Sequence, residues 1–197
     1  MNKDNTIIIV DWDDSMFPTS WFTSISKDSK TSLDWIKILE PLDVMLYSFF
    51  TQILEIGHVY IVTYAYPTWV NMCFSMLPRA QKLQSEIPVI SGRSDHKRSF
   101  SIDGFTQKKY IFKSIAEHFI GARQIISIGD DQAEYNALVE LDSKSAYLKA
   151  IKLTKNPSYF VLLDQLNTLN SCMKNIYNSR KHLDLLFADH ESSDTGR

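Results

Sequence analysis

Residues Ile7 to Val10 are an unbroken run of β-branched aliphatics, and the next five residues are Asp11, Trp12, Asp13, Asp14 and Ser15. β-branched side chains favour extended backbone. A run that is apolar at every position, rather than every second one, fits a strand buried on both faces of a parallel sheet. Such a strand has no room for carboxylates within it, so Asp11 and Asp13 belong at its carboxyl end. In open α/β sheets that edge is where ligands bind. Two acids one residue apart repel each other unless a cation is shared between them, either a divalent metal or a proton held by one acid.

Further β-rich runs recur at Val59–Thr63, Pro88–Ile90, Gln124–Ile128 and Ser145–Leu153. The segments between them suit crossover helices: 34–56, with Pro41 restarting or kinking it, then 68–85 and 106–120. Pro157 opens a last helical stretch to about Phe187, with Phe160, Leu163, Leu166 and Leu169 at helical spacing. This alternation predicts an α/β fold, a Rossmann-like parallel sheet of about five strands flanked by helices, with right-handed crossovers. The expected domain is 1–187, and the polar stretch 188–197 is a flexible tail or the start of a linker.

With 44% hydrophobic residues, the 197-residue chain can bury one substantial core. A net charge of −2 offers no electrostatic case for nucleic acid. Cys73 and Cys172 lie far apart and form no disulfide framework, which fits a reducing, cytoplasmic compartment. The polar N-terminus has no secretory core, and no apolar run reaches the length of a membrane span. Delivery to another compartment by a further domain stays open.

Each main strand ends in a chemically useful residue. The first ends in the Asp11 to Ser15 cluster and the second in Thr63. Lys108 and Lys109 open the helix before the fourth strand, which ends in Gly129, Asp130 and Asp131. Carboxylates, a hydroxyl, an ammonium and a second acidic pair could together hold a phosphoryl group beside Mg²⁺. Taken singly, the acidic pairs are ordinary turns, Thr63 an ordinary strand residue and Lys108 an ordinary surface lysine. Their order and their placement at strand ends carry the reading.

In these four elements the sequence resembles the haloacid-dehalogenase-like phosphohydrolases, and the stretch Asp11 to Pro18, with Trp21 following, is most similar to their capless, magnesium-dependent phosphatase branch. The resemblance implies that Asp11 is the nucleophile forming an aspartyl phosphate and that Asp13 is the general acid and base. Thr63 would bind a phosphoryl oxygen and Lys108 would offset developing charge. Asp11, Asp13 through its main-chain carbonyl, and Asp130 would hold Mg²⁺. Asp131 is an alternate ligand or supporting acid, Lys109 is the alternate lysine, and Ser15 is expected to cap the local turn through the backbone. An acid at position 13 favours phosphomonoester hydrolysis or phosphomutase chemistry within that superfamily. Lys108 is preferred to Lys109 because it begins an inward stripe with Ile111, Phe112, Ile115 and Phe119, whereas Lys109 lies about 100° around the helix.

Two look-alikes fail. A signalling receiver domain would need a phosphoacceptor Asp near position 55, where the chain reads Leu54, Glu55, Ile56, Gly57, His58. Cys73 and Arg79 have the spacing of cysteine-dependent phosphatases, but the residues between contain no Gly to wrap a phosphate, and the segment belongs to a helix. Cys73 is expected to be a buried small hydrophobe. The five histidines show no metal-ligand spacing.

Residues 16–33 could form only a flap, and 64–106 are largely consumed by a helix, a strand and one loop, so no large cap domain is expected. An open site suits a bulky substrate such as a phosphorylated protein or peptide. Phe17, Trp21, Tyr64, Tyr66 and Trp69 are expected around the mouth, where some could stack on a phenyl ring. The basic loop 92–98, led by Arg93, could grip an acidic substrate flank. Phosphotyrosine hydrolysis is therefore the expected activity. The alternatives are hydrolysis of a small metabolite phosphate and a non-catalytic phosphoprotein-binding role.

Overall fold

The structure is a computed structural model that describes residues 5–28, 34–93, 104–119, 121–141 and 145–187. Strand β1 (Thr6–Val10) is buried at all five positions and lies between β2 (His58–Thr63) and β4 (Gln124–Gly129). The sheet is completed by β3 (Val89–Ser91), β5 (Tyr147–Lys152) and β6 (Leu183–Leu186), in the order β3-β2-β1-β4-β5-β6, with every pairing parallel. Strand order reverses between β1 and β4. The crevice outside those two carboxyl ends is thus the topological switch point where α/β sheets take their ligands.

Alternation along β1 divides the core in two. Ile8 and Val10 face α3 (Glu40–Ile56), α4 (Pro67–Ser75) and α7 (Tyr159–Asn178), meeting Leu46, Phe50, Phe74, Leu162 and Leu166. Ile7 and Ile9 face α5 (Gly104–His118) and α6 (Gln132–Val139), meeting Phe112, Ile115, Ala137 and Leu138. A strand covered on both sides has no polar face. That is why its sequence is continuous rather than alternating. Helix α1 (Thr19–Asp28) and the short α2 (Trp35–Ile38) pack on the first of these faces through Phe22 and Trp35.

Three expectations are refined. Pro41 restarts the helix, as α3 begins beside it. The segment expected as one helix over 68–85 breaks near Pro78 into α4 and a 3₁₀ segment, Ala80–Glu86. Asp43 of α3 is fully buried and accepts the Arg79 and Ala80 N–H groups at 3.0 and 2.9 Å, so it anchors the start of that segment. The last helix stops at Asn178 rather than running to Phe187, and β6 follows. Leu183 and Leu185 alternate with the exposed Asp184 and Leu186, a strand period that helical spacing upstream obscured. The 188–197 tail lies outside the described residues, as do 94–98 of the basic loop. No described helix is long and apolar enough to cross a membrane.

Lys149 in β5 is fully buried. Its ammonium donates to the carbonyls of Ile176 (2.6 Å) and Tyr177 (3.2 Å) at the end of α7, and to Gln124 Oε1. The two carbonyls sit at the negative end of the helix dipole, and none of the three acceptors is a carboxylate. Burial pushes Lys149 down from 10.5 to about 8. Between those values the unfolded chain holds the proton that the folded chain has released, so Lys149 makes stability rise with pH there. Urea unfolding of wild type and Lys149→Met across this range should show the difference moving in favour of wild type as pH increases. A pH-independent difference would contradict this account.

Candidate active site

The chain leaves β1 in register, with the Asp11 N–H still donating to the Ile128 carbonyl at 2.9 Å. Trp12 then turns fully into the core, its ring 4.7 Å from Phe74 and 6.2 Å from Phe17 between centroids. Because successive side chains along an extended segment point to opposite sides, this anchoring sends Asp11 the other way, toward Lys108, while Asp13 lies past the strand end beside Thr63 and Trp69. The Trp12 carbonyl accepts the N–H groups of Met16 and Phe17, both at 2.9 Å. Asp14 closes the turn with φ of 54°, a left-handed conformation that Asp tolerates better than most residues. Its carboxylate accepts the Ser20 N–H at 2.8 Å and so caps the first turn of α1.

Two buried carboxylates, Asp11 and Glu134, hold one buried ammonium, Lys108, and a third, Asp130, lies beside them. Lys108 Nζ donates to Asp11 Oδ1 at 2.7 Å and also pairs with Glu134. The Ser15 hydroxyl, itself fully buried, donates to Asp130 Oδ1 at 3.2 Å and lies 3.5 Å from Asp11 Oδ2. Ser15 therefore joins two acids from β1 and β4 instead of capping the backbone. Burial pushes Asp11 up to about 7; Lys108 opposes the rise, while Glu134 and Asp130 add to it. Burial and then Glu134 push Asp130 up to about 6 against the Ser15 hydrogen bond. Lys108 also loses hydration, yet the Asp11 and Glu134 carboxylates hold its pKa above the ordinary lysine value. One ammonium does not balance three carboxylates, so the cluster is short of positive charge.

Asp13 has a different environment. Its carboxylate accepts the Thr19 hydroxyl at 2.6 Å, the Trp69 indole N–H at 2.9 Å and the Thr63 hydroxyl at 3.3 Å. Thr63 Oγ1 also accepts the Ala65 N–H at 3.0 Å, and the residue is fully buried at the end of β2. The two acids thus have separate partners, an ammonium and a shared hydroxyl for Asp11 and three neutral donors for Asp13.

Glu134 was not singled out in the sequence, although Asp131-x-x-Glu134 is a capping-box pattern. The Glu134 carboxylate accepts the Asp131 N–H at 3.0 Å while also reaching Lys108. Gly129 makes room for it, since a Cβ there would stand 2.5 Å from Glu134 Cγ. Asp131 itself caps α6 and pairs with Lys155 at 2.7 Å, away from Lys108. Lys109 pairs with Glu140, so of the two lysines Lys108 is the one beside Asp11.

The mouth differs from expectation. Phe17 is fully buried against Trp12 and Phe22 and cannot line an open slot. Trp21 stacks on Tyr159, 4.7 Å between centroids, and meets Trp35, so it pins α1 to the body of the protein. Trp69 faces Asp13 rather than solvent. Tyr64 and the exposed Tyr66 remain at the rim, where Arg93 lies over both rings. Cys73 is buried in α4 and Arg79 is taken by Asp43 and Glu40, which removes the cysteine look-alike.

Among the described residues, no group of three or more His, Cys, Asp or Glu side chains is placed to hold a metal ion. Asp11 and Asp130, bridged by Ser15, supply two hard oxygen donors in a charge-deficient site. That set fits Mg²⁺, which keeps several of its waters and needs only one or two carboxylates. The chain matches no known protein family, no curated protein and no solved structure.

Gly129→Ala should force Glu134 off Lys108. Unfolding in urea should show a loss of about 1–3 kcal/mol, as expected for overpacking. An unchanged midpoint would mean that the Glu134 position does not depend on the missing Cβ.

Proposed function

We propose that this chain is a Mg²⁺-dependent phosphomonoester hydrolase with Asp11 as nucleophile, of the haloacid-dehalogenase-like kind its motifs resemble. The observation that carries the reading is the convergence of Asp11, Lys108, Ser15 and Asp130 at the switch point, with Asp13 held separately beside Thr63. In the first step an Asp11 oxygen bonds to phosphorus as the bond to the leaving oxygen breaks, and Asp13 gives that oxygen a proton. In the second, Asp13 takes a proton from water as the water oxygen bonds to phosphorus, and the Asp11–phosphorus bond breaks. Lys108 offsets the charge that builds on the phosphoryl oxygens, and Thr63 can turn its hydroxyl from Asp13 to one of them. Asp11, Asp130 and the Asp13 main-chain carbonyl would hold Mg²⁺, which lowers the repulsion between an anionic carboxylate and an anionic phosphate.

Among the described residues no extra domain stands over this edge; 11–28 contribute α1 and turns, and 64–93 contribute α4, the 3₁₀ segment and β3. A site beside Tyr64 and Tyr66 with no extra domain over it among the described residues favours an aryl phosphate on a large substrate, a phosphotyrosine peptide, over a small metabolite that a cap would have to enclose. Both cysteines are free, in keeping with a reducing compartment.

Hydrolysis of an aryl phosphate should stop with EDTA and return with added Mg²⁺. Asp11→Asn should lower the rate by about a thousandfold or more, while Cys73→Ala should leave it intact. Full turnover by the Asp11→Asn protein would overturn the proposal. Comparing phosphotyrosine peptides with sugar and nucleotide phosphates separates the two substrate classes, and phosphopeptide binding without phosphate release would point to the non-catalytic role.

A further inference from the structure

The cations at the carboxyl edge of the sheet are not all committed. Lys108 is shared by Asp11 and Glu134, Lys155 is paired with Asp131, and Lys152 donates to Gln132 Oε1 at 2.8 Å. Arg93 is different. Its guanidinium carbon lies 4.5 Å from the centre of the Tyr64 ring and 5.3 Å from that of Tyr66, and no described carboxylate pairs with it. A guanidinium over ring faces is attracted by their quadrupole and keeps its N–H edge free for a carboxylate or phosphate.

The position is braced by backbone. The Gly92 N–H donates to the Thr63 carbonyl at 2.9 Å, and the Arg93 N–H donates to Ser91 Oγ at 2.9 Å. Ser91 Oγ in turn lies 2.6 Å from the Ala65 carbonyl, which ties the loop after β3 to the Tyr64–Tyr66 turn. A Cβ on Gly92 would stand 2.5 Å from Gln107 Oε1, so this loop lies against the residue just before Lys108. Arg93 is thereby fixed at the rim between Thr63 and the start of α5. It is held outside the Asp11–Lys108 cluster by residues that make no charge demand on it.

We propose that Arg93, cradled on Tyr64 and Tyr66, is a second anion-recognising position of the same site and selects phosphopeptides that carry a carboxylate beside the phosphorylated residue. The inference rests on the phosphatase reading and adds a substrate preference to it. Ordering of the side chain by the two rings before binding removes part of the entropy that a free surface arginine loses when it pairs.

The test uses the full chain, wild type and Arg93→Gln, on three substrates. They are an aryl phosphate with no second anion, a phosphotyrosine peptide with flanking Glu, and the same peptide with Gln in place of Glu. Wild type should prefer the Glu peptide by about fivefold in kcat/KM, through KM, the advantage one well-placed exposed ion pair provides. The preference should shrink as salt is added. Arg93→Gln should abolish it and leave aryl phosphate turnover unchanged, and Arg93→Lys, with charge but no planar fork, should restore only part. Three results would overturn the inference with the phosphatase reading intact: no Glu preference in wild type, an equal preference in Arg93→Gln, or loss of aryl phosphate turnover in that variant. No hydrolysis of any of the three would overturn the phosphatase reading and this inference with it.

Discussion

The pairing of Lys108 with Asp11 and Glu134 is the interaction on which the site depends. It joins the first turns of α5, the end of β1 and α6, three elements brought together only by the complete parallel sheet. A buried ammonium is tolerable when carboxylates surround it, and buried carboxylates are tolerable only when cations do the same. Here the balance is deliberately incomplete in the physical sense: burial raises the pKa values of Asp11 and Asp130 because their charge is not fully matched. The fold holds together a cluster that would be more comfortable with one more positive ion. That property suits the metal and phosphoryl group of the proposed reaction.

Trp12 sorts the two acids on either side of it. By filling the core between Phe17 and Phe74, it fixes the direction of the chain at the point where β1 gives way to a turn. Asp11 then meets Lys108, while Asp13 meets Thr19, Thr63 and Trp69. Two carboxylates in one short segment acquire different surroundings, and unlike surroundings are what the proposed division into nucleophile and proton carrier requires.

Much of this was legible in the residues. The continuous β-branched run of Ile7 to Val10 announced a strand covered on both faces, and its abrupt end in acids located the carboxyl edge. The inward stripe behind Lys108 separated it from Lys109. What escaped notice had long-range causes. Glu134 was not singled out, because its role beside Lys108 needs α5 to lie beside α6 and Gly129 to lack a side chain. Phe17 and Trp21 read as rim aromatics because sequence spacing gives no hint that α1 folds back onto Tyr159 and Trp35. β6 was hidden by its brevity, four residues directly after a long helix. Ser15 was expected to serve its own turn, and only the adjacency of β1 and β4 reveals that it links Asp11 to Asp130.

The outer strands have a bearing on how the molecule behaves among its copies. The sheet ends on β3, three residues long, and on β6, four residues long. Unpaired backbone donors and acceptors at a sheet margin invite another chain to extend the ladder, and brevity is one of the ways proteins suppress this. On β6 the outward Asp184 adds a charge, held at 3.1 Å by the Tyr135 hydroxyl. A sheet whose inner strands are its longest thus ends in margins whose brevity, with the charge of Asp184 on β6, works against such extension.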